Sequence, residues 1–229
     1  MGAVCADGVQ ACDSLRQRAR PAASKSVFAP VWRQVCRLVL ALGGWKVRGD
    51  WPDAPKAVMI AAPHTSNWDG FWMLAAAGLY QIKLKWMGKK SLTDHALGGF
   101  VRWLGCVPVD RTSASDVVDQ MAAAFAGADR MILAIAPEGT RARAGEWKSG
   151  YYRIAMAAGV PLIVSVLDYG SRTIRIDGII QPTGDYEADL PRIQAHYAGA
   201  EGRHAGRFSV GEAPEEEPSG GEIPPEDKG

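Results

Sequence analysis

The sequence contains few cysteines, and none of them is arranged to bind a metal. There are four, with no Cys-x-x-Cys pair among them, namely Cys5, Cys12, Cys36 and Cys106. This scarcity excludes a dense disulfide framework and a cysteine-based metal site, and it is typical of a reduced, cytosolic compartment. We therefore expect no metal site.

Targeting signals are also missing from the start of the sequence. Residues 1–26 have no apolar segment of the kind that a signal peptide requires, and Asp7 and Asp13 are unusual for an organelle transit peptide. Ala6 occupies the position where N-myristoylation requires Ser or Thr. We expect residues 1–26 to form a flexible tail.

Acidic residues are absent near one end of the chain and concentrated at the other. Arg16 to Arg48 includes eight Lys and Arg and no acid, whereas Glu212 to Gly229 includes seven acids and one Lys, although the net charge is only +1. From Arg203 onward Gly, Pro and Glu dominate, and this composition predicts a disordered acidic tail over residues 203–229. No nucleic-acid-binding motif accompanies the basic end, so we expect no nucleic-acid partner.

An amphipathic helix is predicted over residues 27–44, with Pro30 near its start and Gly43-Gly44 just past its end. About 14 residues at ~1.5 Å each reach about 21 Å, which is short of the ~30 Å hydrocarbon core, so this helix does not span a bilayer. It either lies on an anionic membrane surface, which its basic neighbours favour, or packs on the core. Its apolar residues recur at three- and four-residue steps and are Phe28, Val31, Trp32, Val35, Leu38, Val39 and Leu42.

Strands alternate with helices along residues 27–202, which we predict to form a single domain. The clearest strand is Met131–Ala136, which is apolar throughout and therefore suited to burial on both faces of a sheet. The alternation indicates an α/β fold with a mixed, largely parallel central sheet flanked by helices, and with the amphipathic helix at its N-terminal end. Other strand candidates are Ala57–Ala62, Gly105–Arg111 and Val160–Leu167.

Polar clusters follow three of the predicted strands. These clusters are His64 with Asp69, Asp110 with Arg111, and Glu138 with Arg141. Because open α/β sheets bind ligands at the carboxyl ends of their strands, one edge of the sheet could bring the clusters together. A histidine, an acid and two arginines suit a reaction in which a base removes a proton beside a bound anion, most simply a phosphate. Gly139 would let backbone N–H groups approach an oxygen closely.

Each of these residues also has a purely structural explanation. His64 could be a hydrogen-bonded structural histidine, and Asp69 could be an acid at a helix N-terminus stabilised by the helix dipole. Arg111 could belong to a surface ion pair of little energetic value, and Glu138 to an ordinary turn. Taken singly, the motifs do not decide between these interpretations.

Taken together, the clusters resemble the ordered motif blocks of the glycerolipid acyltransferases, a family with an HxxxxD motif that includes the 1-acylglycerol-3-phosphate acyltransferases. The blocks are His64 to Asp69, Gly105 to Arg111, Pro137 to Arg141 followed by Lys148-Ser149-Gly150, and Val160 to Ile163. They occur in the family's order and approximate spacing, and the resemblance covers residues 58–168.

The resemblance implies acyl transfer from a coenzyme A or acyl-carrier-protein thioester to a hydroxyl of a lysophospholipid, by default lysophosphatidic acid. His64 would be the general base and Asp69 its orienting partner. The thioester is a co-substrate, so no cofactor is implied, and the expected location is peripheral, on the cytoplasmic face of a membrane. The acceptor site would contain Arg111, Glu138, Gly139, Thr140 and Arg141, with the arginines holding phosphate.

Three departures from the family pattern leave the acceptor open. Pro63 stands where many members have Asn, Ala136 where they have an aromatic residue, and Val164 where a second Pro often occurs. The acceptor could therefore be another polar lysolipid, such as an amino-acid lipid. Two other functions stay open as well: a non-catalytic membrane lipid-binding protein, and a hydrolase that passes the acyl group to water.

Overall fold

One seven-stranded sheet runs through the molecule. We describe it from a computed structural model that covers residues 28–110, 114–139, 147–204, 206–208 and 210. The strands are β1 Lys46–Arg48, β2 Lys56–Ala62, β3 Leu84–Lys89, β4 Cys106–Val109, β5 Met131–Ile135, β6 Leu162–Asp168 and β7 Thr173–Ile180. The helices are α1 Phe28–Leu42, α2 Asn67–Leu79, α3 Gly98–Trp103, α4 Ala114–Ala126, α5 Gly150–Ala158 and α6 Tyr186–Ala195, with a short 3-10 helix at Lys90–Leu92.

The strand order across the sheet is β1-β7-β6-β2-β5-β3-β4. Every neighbouring pair is parallel except β6 with β7, which is antiparallel. The predicted mixed, largely parallel α/β sheet is thus confirmed. Pro108 lies in β4, at the outer edge of the sheet, where its missing N–H costs no ladder hydrogen bond on the open side.

Two layers of helices cover the sheet. The chain moves one way across the sheet from β2 to β3 to β4 and then returns to β5 and β6. Because such parallel crossovers are right-handed, α2 and α3 lie on one face and α4 and α5 on the other. The first layer encloses a core that includes Leu40, Met73 and Ile163, and the second encloses Phe125 and Tyr151.

Helix α1 packs on α2 through one side and exposes apolar residues on the other. Cys36 and Leu40 are buried, and Gly78 of α2 permits the close approach, because a Cβ there would lie 2.4 Å from the Cys36 sulfur. The exposed apolar side chains are Val31, Trp32, Val35, Leu38 and Leu42. The helix therefore contributes to the core and presents an apolar outer face. None of the helices in the described ranges is long and apolar enough to cross a bilayer.

The packed chain continues past residue 202. Phe208 and Val210 are partly buried against the core of the second layer. Two residues of the segment for which composition predicts a disordered tail are therefore packed on the core. The basic tail 1–26 lies outside the described residues.

Candidate active site

The turn between β2 and α2 is organised by a hydrogen-bonded cap. Ser66 is the N-cap of α2; its Oγ accepts from the Trp68 N–H at 3.3 Å, and its own N–H donates to Asp69 Oδ2 at 2.7 Å. This reciprocal arrangement is a capping box, which fixes the start of a helix. It also fixes the Asp69 carboxylate, which is only 1% exposed.

His64 lies two residues beyond the end of β2 and faces Asp69 across this turn. The His64 Nδ1 is 3.3 Å from Asp69 Oδ2, and the imidazole keeps 26% of its side-chain surface exposed. An ionised carboxylate can only accept hydrogen bonds, so the neutral imidazole paired with it carries its proton on Nδ1. The buried carboxylate thus fixes the tautomer of His64, whose imidazole remains partly exposed at the surface.

Tyr169 completes the surroundings of Asp69. Its hydroxyl donates to Asp69 Oδ1 at 2.7 Å, and its ring packs edge-on against Trp45 at 4.9 Å between centroids. Burial raises the pKa of Tyr169, and so does its hydrogen bond to Asp69, which keeps the hydroxyl a proton donor. Burial alone would raise the pKa of Asp69, but hydrogen bonds from His64, Tyr169 and Ser66 outweigh it and hold this pKa below its ordinary value.

Glu138 holds the backbone of His64. Its Oε1 accepts from the His64 N–H at 2.9 Å, the residue is 2% exposed, and its Oε2 has no hydrogen-bond partner within the described ranges. Burial raises the pKa of Glu138, and the charge of Asp69 adds to this effect. The next residue, Gly139, has φ +65°, and a Cβ there would lie 2.7 Å from Cδ of Lys148. The left-handed backbone therefore favours glycine where the chain turns away from Glu138.

Removing the charge of Glu138 is expected to change the pH dependence of stability. An acid whose pKa is raised on folding binds its proton more tightly in the folded state, so its contribution to the free energy of unfolding falls as the pH rises from about 4.3. Glu138→Gln keeps an oxygen for the His64 N–H and lacks this titration. The melting temperature of the variant minus that of the wild type should thus increase between about pH 4 and pH 7.

Thermal unfolding of both proteins across this pH range measures the slope, which is the change with pH of the difference between their melting temperatures. Any cost of burying the new amide NH2 is the same at every pH and therefore does not contribute to the slope. Glu187→Gln, at an exposed position in α6, controls for a change in net charge. If the melting temperature of the variant minus that of the wild type falls with rising pH, the pKa of Glu138 is not raised by folding.

Sheet order decides which predicted residues meet. Strands β5 and β6 flank β2, so Glu138 and Tyr169 lie at strand ends next to His64. Asp110 follows β4, three strands away from β2, or about 14 Å at the usual ~4.8 Å spacing. Three predicted acceptor-site residues, Arg111, Thr140 and Arg141, lie outside the described residues. Their role stays a prediction.

Tyr169 is absent from the residues that the sequence singles out. The signal was present, because Tyr169 follows the strand ending at Asp168, and the strand-end argument applied to His64 and Glu138 holds equally there. In the part of the chain that the structure describes, no group of three or more His, Cys, Asp or Glu side chains could hold a metal ion.

Together, the fold and the site define a class: an α/β protein with a His–Asp pair at the carboxyl end of a central parallel strand. The family model described as "Acyltransferase" matches residues 46–167, and the chain belongs to this acyltransferase family. The match begins at β1, ends within β6, and includes the turn with both residues of the pair.

Individual relatives agree with this assignment. The chain is 33% identical over 148 residues to a probable 1-acyl-sn-glycerol-3-phosphate acyltransferase of Mycoplasma pneumoniae, covering 59% of this chain and 54% of that protein. It is 31% identical over 122 residues to the 1-acyl-sn-glycerol-3-phosphate acyltransferase of Salmonella typhimurium, covering 51% of this chain and 49% of that protein. The chain thus spans about half the length of the curated relatives it matches.

A solved structure is similar over a longer stretch. The crystal structure of the 1-acyl-sn-glycerophosphate (LPA) acyltransferase PlsC from Thermotoga maritima aligns with a TM-score of 0.48 at 16% sequence identity, covering 78% of this chain and 79% of that chain.

Proposed function

We propose that this protein transfers an acyl group from acyl-CoA or acyl-ACP to a hydroxyl of a lysophospholipid, by default lysophosphatidic acid, giving phosphatidic acid. The observation that carries the proposal is the His64–Asp69 pair, with a 3.3 Å contact and a buried carboxylate, inside the residues that match the acyltransferase family. The relatives described above are named as a probable and as a 1-acyl-sn-glycerol-3-phosphate acyltransferase, and these names support the choice of acceptor.

The His64–Asp69 pair can supply the base that the reaction needs and a carboxylate that stabilises the charge of the protonated base. In this mechanism Nε2 of His64 takes the proton of the acceptor hydroxyl as its oxygen forms a bond to the thioester carbonyl carbon. The buried Asp69 carboxylate stabilises the imidazolium that results. As the tetrahedral intermediate breaks down, the C–S bond cleaves and the imidazolium returns its proton to the thiolate. The products are an ester and a free thiol, without an acyl-enzyme.

Thiol release tests the proposal and separates it from the alternatives. Purified protein is supplied with acyl-CoA and a panel of lysolipids that includes lysophosphatidic acid and amino-acid lysolipids, and the products are identified by mass spectrometry. Acceptor-dependent thiol release together with the acylated lipid is expected. Release without an acceptor would identify a hydrolase instead, and lipid binding without turnover would identify a non-catalytic lipid-binding protein.

We infer that the layer formed by α1 to α3 rests on the cytoplasmic face of a membrane as a peripheral contact. The outer face of α1 is apolar, and Arg33 and Arg37 lie on the same helix. An amphipathic helix of this composition binds anionic interfaces through both its apolar area and its charge. Phe100 and Trp103 of α3 and Trp68 and Phe71 of α2 add exposed aromatic surface to this layer.

Charges placed on the outer face of α1 should release the protein from liposomes. Trp32 and Leu38 are more than half exposed, so Trp32→Asp with Leu38→Asp should leave the fold intact while placing two carboxylates at the interface. Co-sedimentation with vesicles containing anionic lipid should fall by about a factor of ten or more, because both apolar burial and charge attraction are lost. Met156→Asp, which changes an exposed residue of the opposite helix layer, is the control. Unchanged binding of the α1 variant would show that α1 does not contact the membrane.

A further inference from the structure

A pocket of about 420 Å³ lies beside the His64–Asp69 pair. Four of its residues belong to the β2–α2 turn and three to the segment after α6. They are Thr65, Ser66, Asn67 and Trp68 from the turn, and Arg203, His204 and Arg207 from the segment. The segment lies outside the residues that match the acyltransferase family model, which end at 167. The pocket therefore combines the β2–α2 turn, which lies within the family match, with a part of this chain that the family model does not cover.

Hydrogen bonds hold the segment against the site. The Tyr169 N–H donates to the Glu201 carbonyl at 2.9 Å, and the Glu201 N–H donates to Asp168 Oδ1 at 3.0 Å. Farther along, the His204 N–H donates to Thr65 Oγ1 at 3.3 Å. The segment is thus attached both to the end of β6 and to the residue that follows His64.

The pocket lining is basic. It includes two arginines and a histidine and no acid. Within the described ranges, neither Arg203 nor Arg207 forms a salt bridge. The Arg203 guanidinium lies 5.5 Å from the centroid of the half-exposed Trp68 ring, an arrangement that orients its planar group over an aromatic face. Guanidinium groups that form no salt bridge are suited to bind an anion with several oxygens.

The same charge acts on the Tyr169 hydroxyl, which is hydrogen-bonded to Asp69. Burial and Asp69 raise the pKa of Tyr169, whereas the charge of Arg203 lowers it, so the guanidinium lies near the hydroxyl that is bonded to Asp69. An anion bound by Arg203 would therefore sit beside the Tyr169–Asp69–His64 chain. A volume of this size also admits a ligand much larger than a free ion.

We propose that this pocket binds a phosphate ester group of one of the two substrates, held by Arg203 and Arg207 against the β2–α2 turn. The inference rests on the proposed function, since both acyl-CoA and lysophosphatidic acid carry such a group. It adds to that function a substrate-binding role for residues after α6. Acyl-CoA and lysophosphatidic acid share the phosphate ester that the pocket would bind, and they differ in the rest of the molecule.

Two water-soluble probes distinguish the sources. Adenosine 3′,5′-bisphosphate represents the nucleotide end of acyl-CoA, and sn-glycerol 3-phosphate represents the head group of lysophosphatidic acid. Isothermal titration of the full chain with each probe is expected to show binding of at least one, weakening as salt is added. The probe that binds identifies the substrate. If neither binds, the proposal is wrong.

Arginine variants locate the binding. Arg207→Gln should weaken the bound probe about tenfold, and Arg203→Gln with Arg207→Gln about a hundredfold, because a hydrogen bond to a charged group contributes about that factor. Arg130→Gln, at an exposed position before β5 and so at the amino-terminal edge of the sheet, is the matched control and should bind normally. Equal binding by the wild type and all three variants would show that Arg203 and Arg207 do not bind the probe.

Steady-state kinetics separate this proposal from the proposed function. If the protein is an acyltransferase, Arg207→Gln should raise the KM of the substrate whose probe binds and leave the KM of the other substrate unchanged. Acyl transfer with both KM values unaltered would refute the pocket and leave the function standing. Probe binding that depends on Arg207, in a protein without acyl transfer, would refute the function and leave the pocket standing.

Discussion

Replacing His64 with alanine is expected to lower the rate of acyl transfer by about two to four orders of magnitude, which is the usual contribution of a positioned general base. Without the imidazole, the acceptor hydroxyl must attack as a neutral alcohol, a poor nucleophile. The substitution leaves the His64 N–H, and therefore its hydrogen bond to Glu138, in place. The expected loss is thus a loss of chemistry in a folded protein.

The measurement is the single-turnover rate of thiol release, with the melting temperature as the test of folding. His95→Ala, which removes an exposed histidine after β3, is the matched control and should retain wild-type rates. Full activity in a folded His64→Ala protein would rule out the mechanism proposed above.

Two substitutions of Asp69, to Asn and to Ala, are expected to lower the rate of acyl transfer by very different factors. In Asp69→Asn, the Ser66 N–H still requires an acceptor at the position of Oδ2, so the amide oxygen should occupy it and the NH2 should face Tyr169. The oxygen would then still receive the Nδ1 proton of His64, and the tautomer would be kept. The charge that stabilises the imidazolium is lost, and the Tyr169 hydroxyl must accept from the NH2 where it donated to Oδ1. We expect a decrease in rate of about 10².

Asp69→Ala removes the acceptor itself. It leaves the Ser66 N–H and the Tyr169 hydroxyl without their carboxylate partner, and such unsatisfied groups cost about 1–3 kcal/mol each when buried. The rate should fall about 10³- to 10⁴-fold, as when a histidine base loses its orienting carboxylate. The order of the two variants is the decisive observation: an Asn variant as slow as the Ala variant would show that the amide adopts the opposite orientation.

The Asn variant also has an independent stability signature. The pKa of Asp69 is held below its ordinary value, so this carboxylate stabilises the fold above about pH 4 and the stabilisation is lost as the pH falls. Asp69→Asn lacks this titration. The melting temperature of the wild type should therefore drop toward that of the variant on acidification.

Much of the site follows from local sequence, because a strand that ends in a polar cluster can be recognised without knowing its neighbours. This argument finds His64, Asp69 and Glu138. It cannot reveal that Glu138 binds the His64 backbone, since that contact depends on β5 pairing directly with β2. For the same reason the sequence treats the Asp110 cluster as equivalent to the others, although β4 lies at the far edge of the sheet.

The amphipathic helix shows a different limit of sequence analysis. Its periodicity predicts an apolar stripe but not how wide a stripe the core will cover. In the structure, Cys36 and Leu40 are buried while Trp32 and Leu38 remain exposed, so core packing is one role of the helix and the other apolar residues form a second surface. The packing depends on a glycine in another element, Gly78, which no local pattern connects to α1.

One atom, Oδ2 of Asp69, receives both the Ser66 amide and the His64 imidazole. The start of α2 and the orientation of the His64 imidazole are therefore coupled, and any opening of the first helical turn also releases the imidazole. It follows that the rate at which the Ser66 amide proton exchanges with solvent reports how often the His64 imidazole is out of position. The NMR resonance of the Ser66 amide would therefore report the orientation of His64 without any substrate.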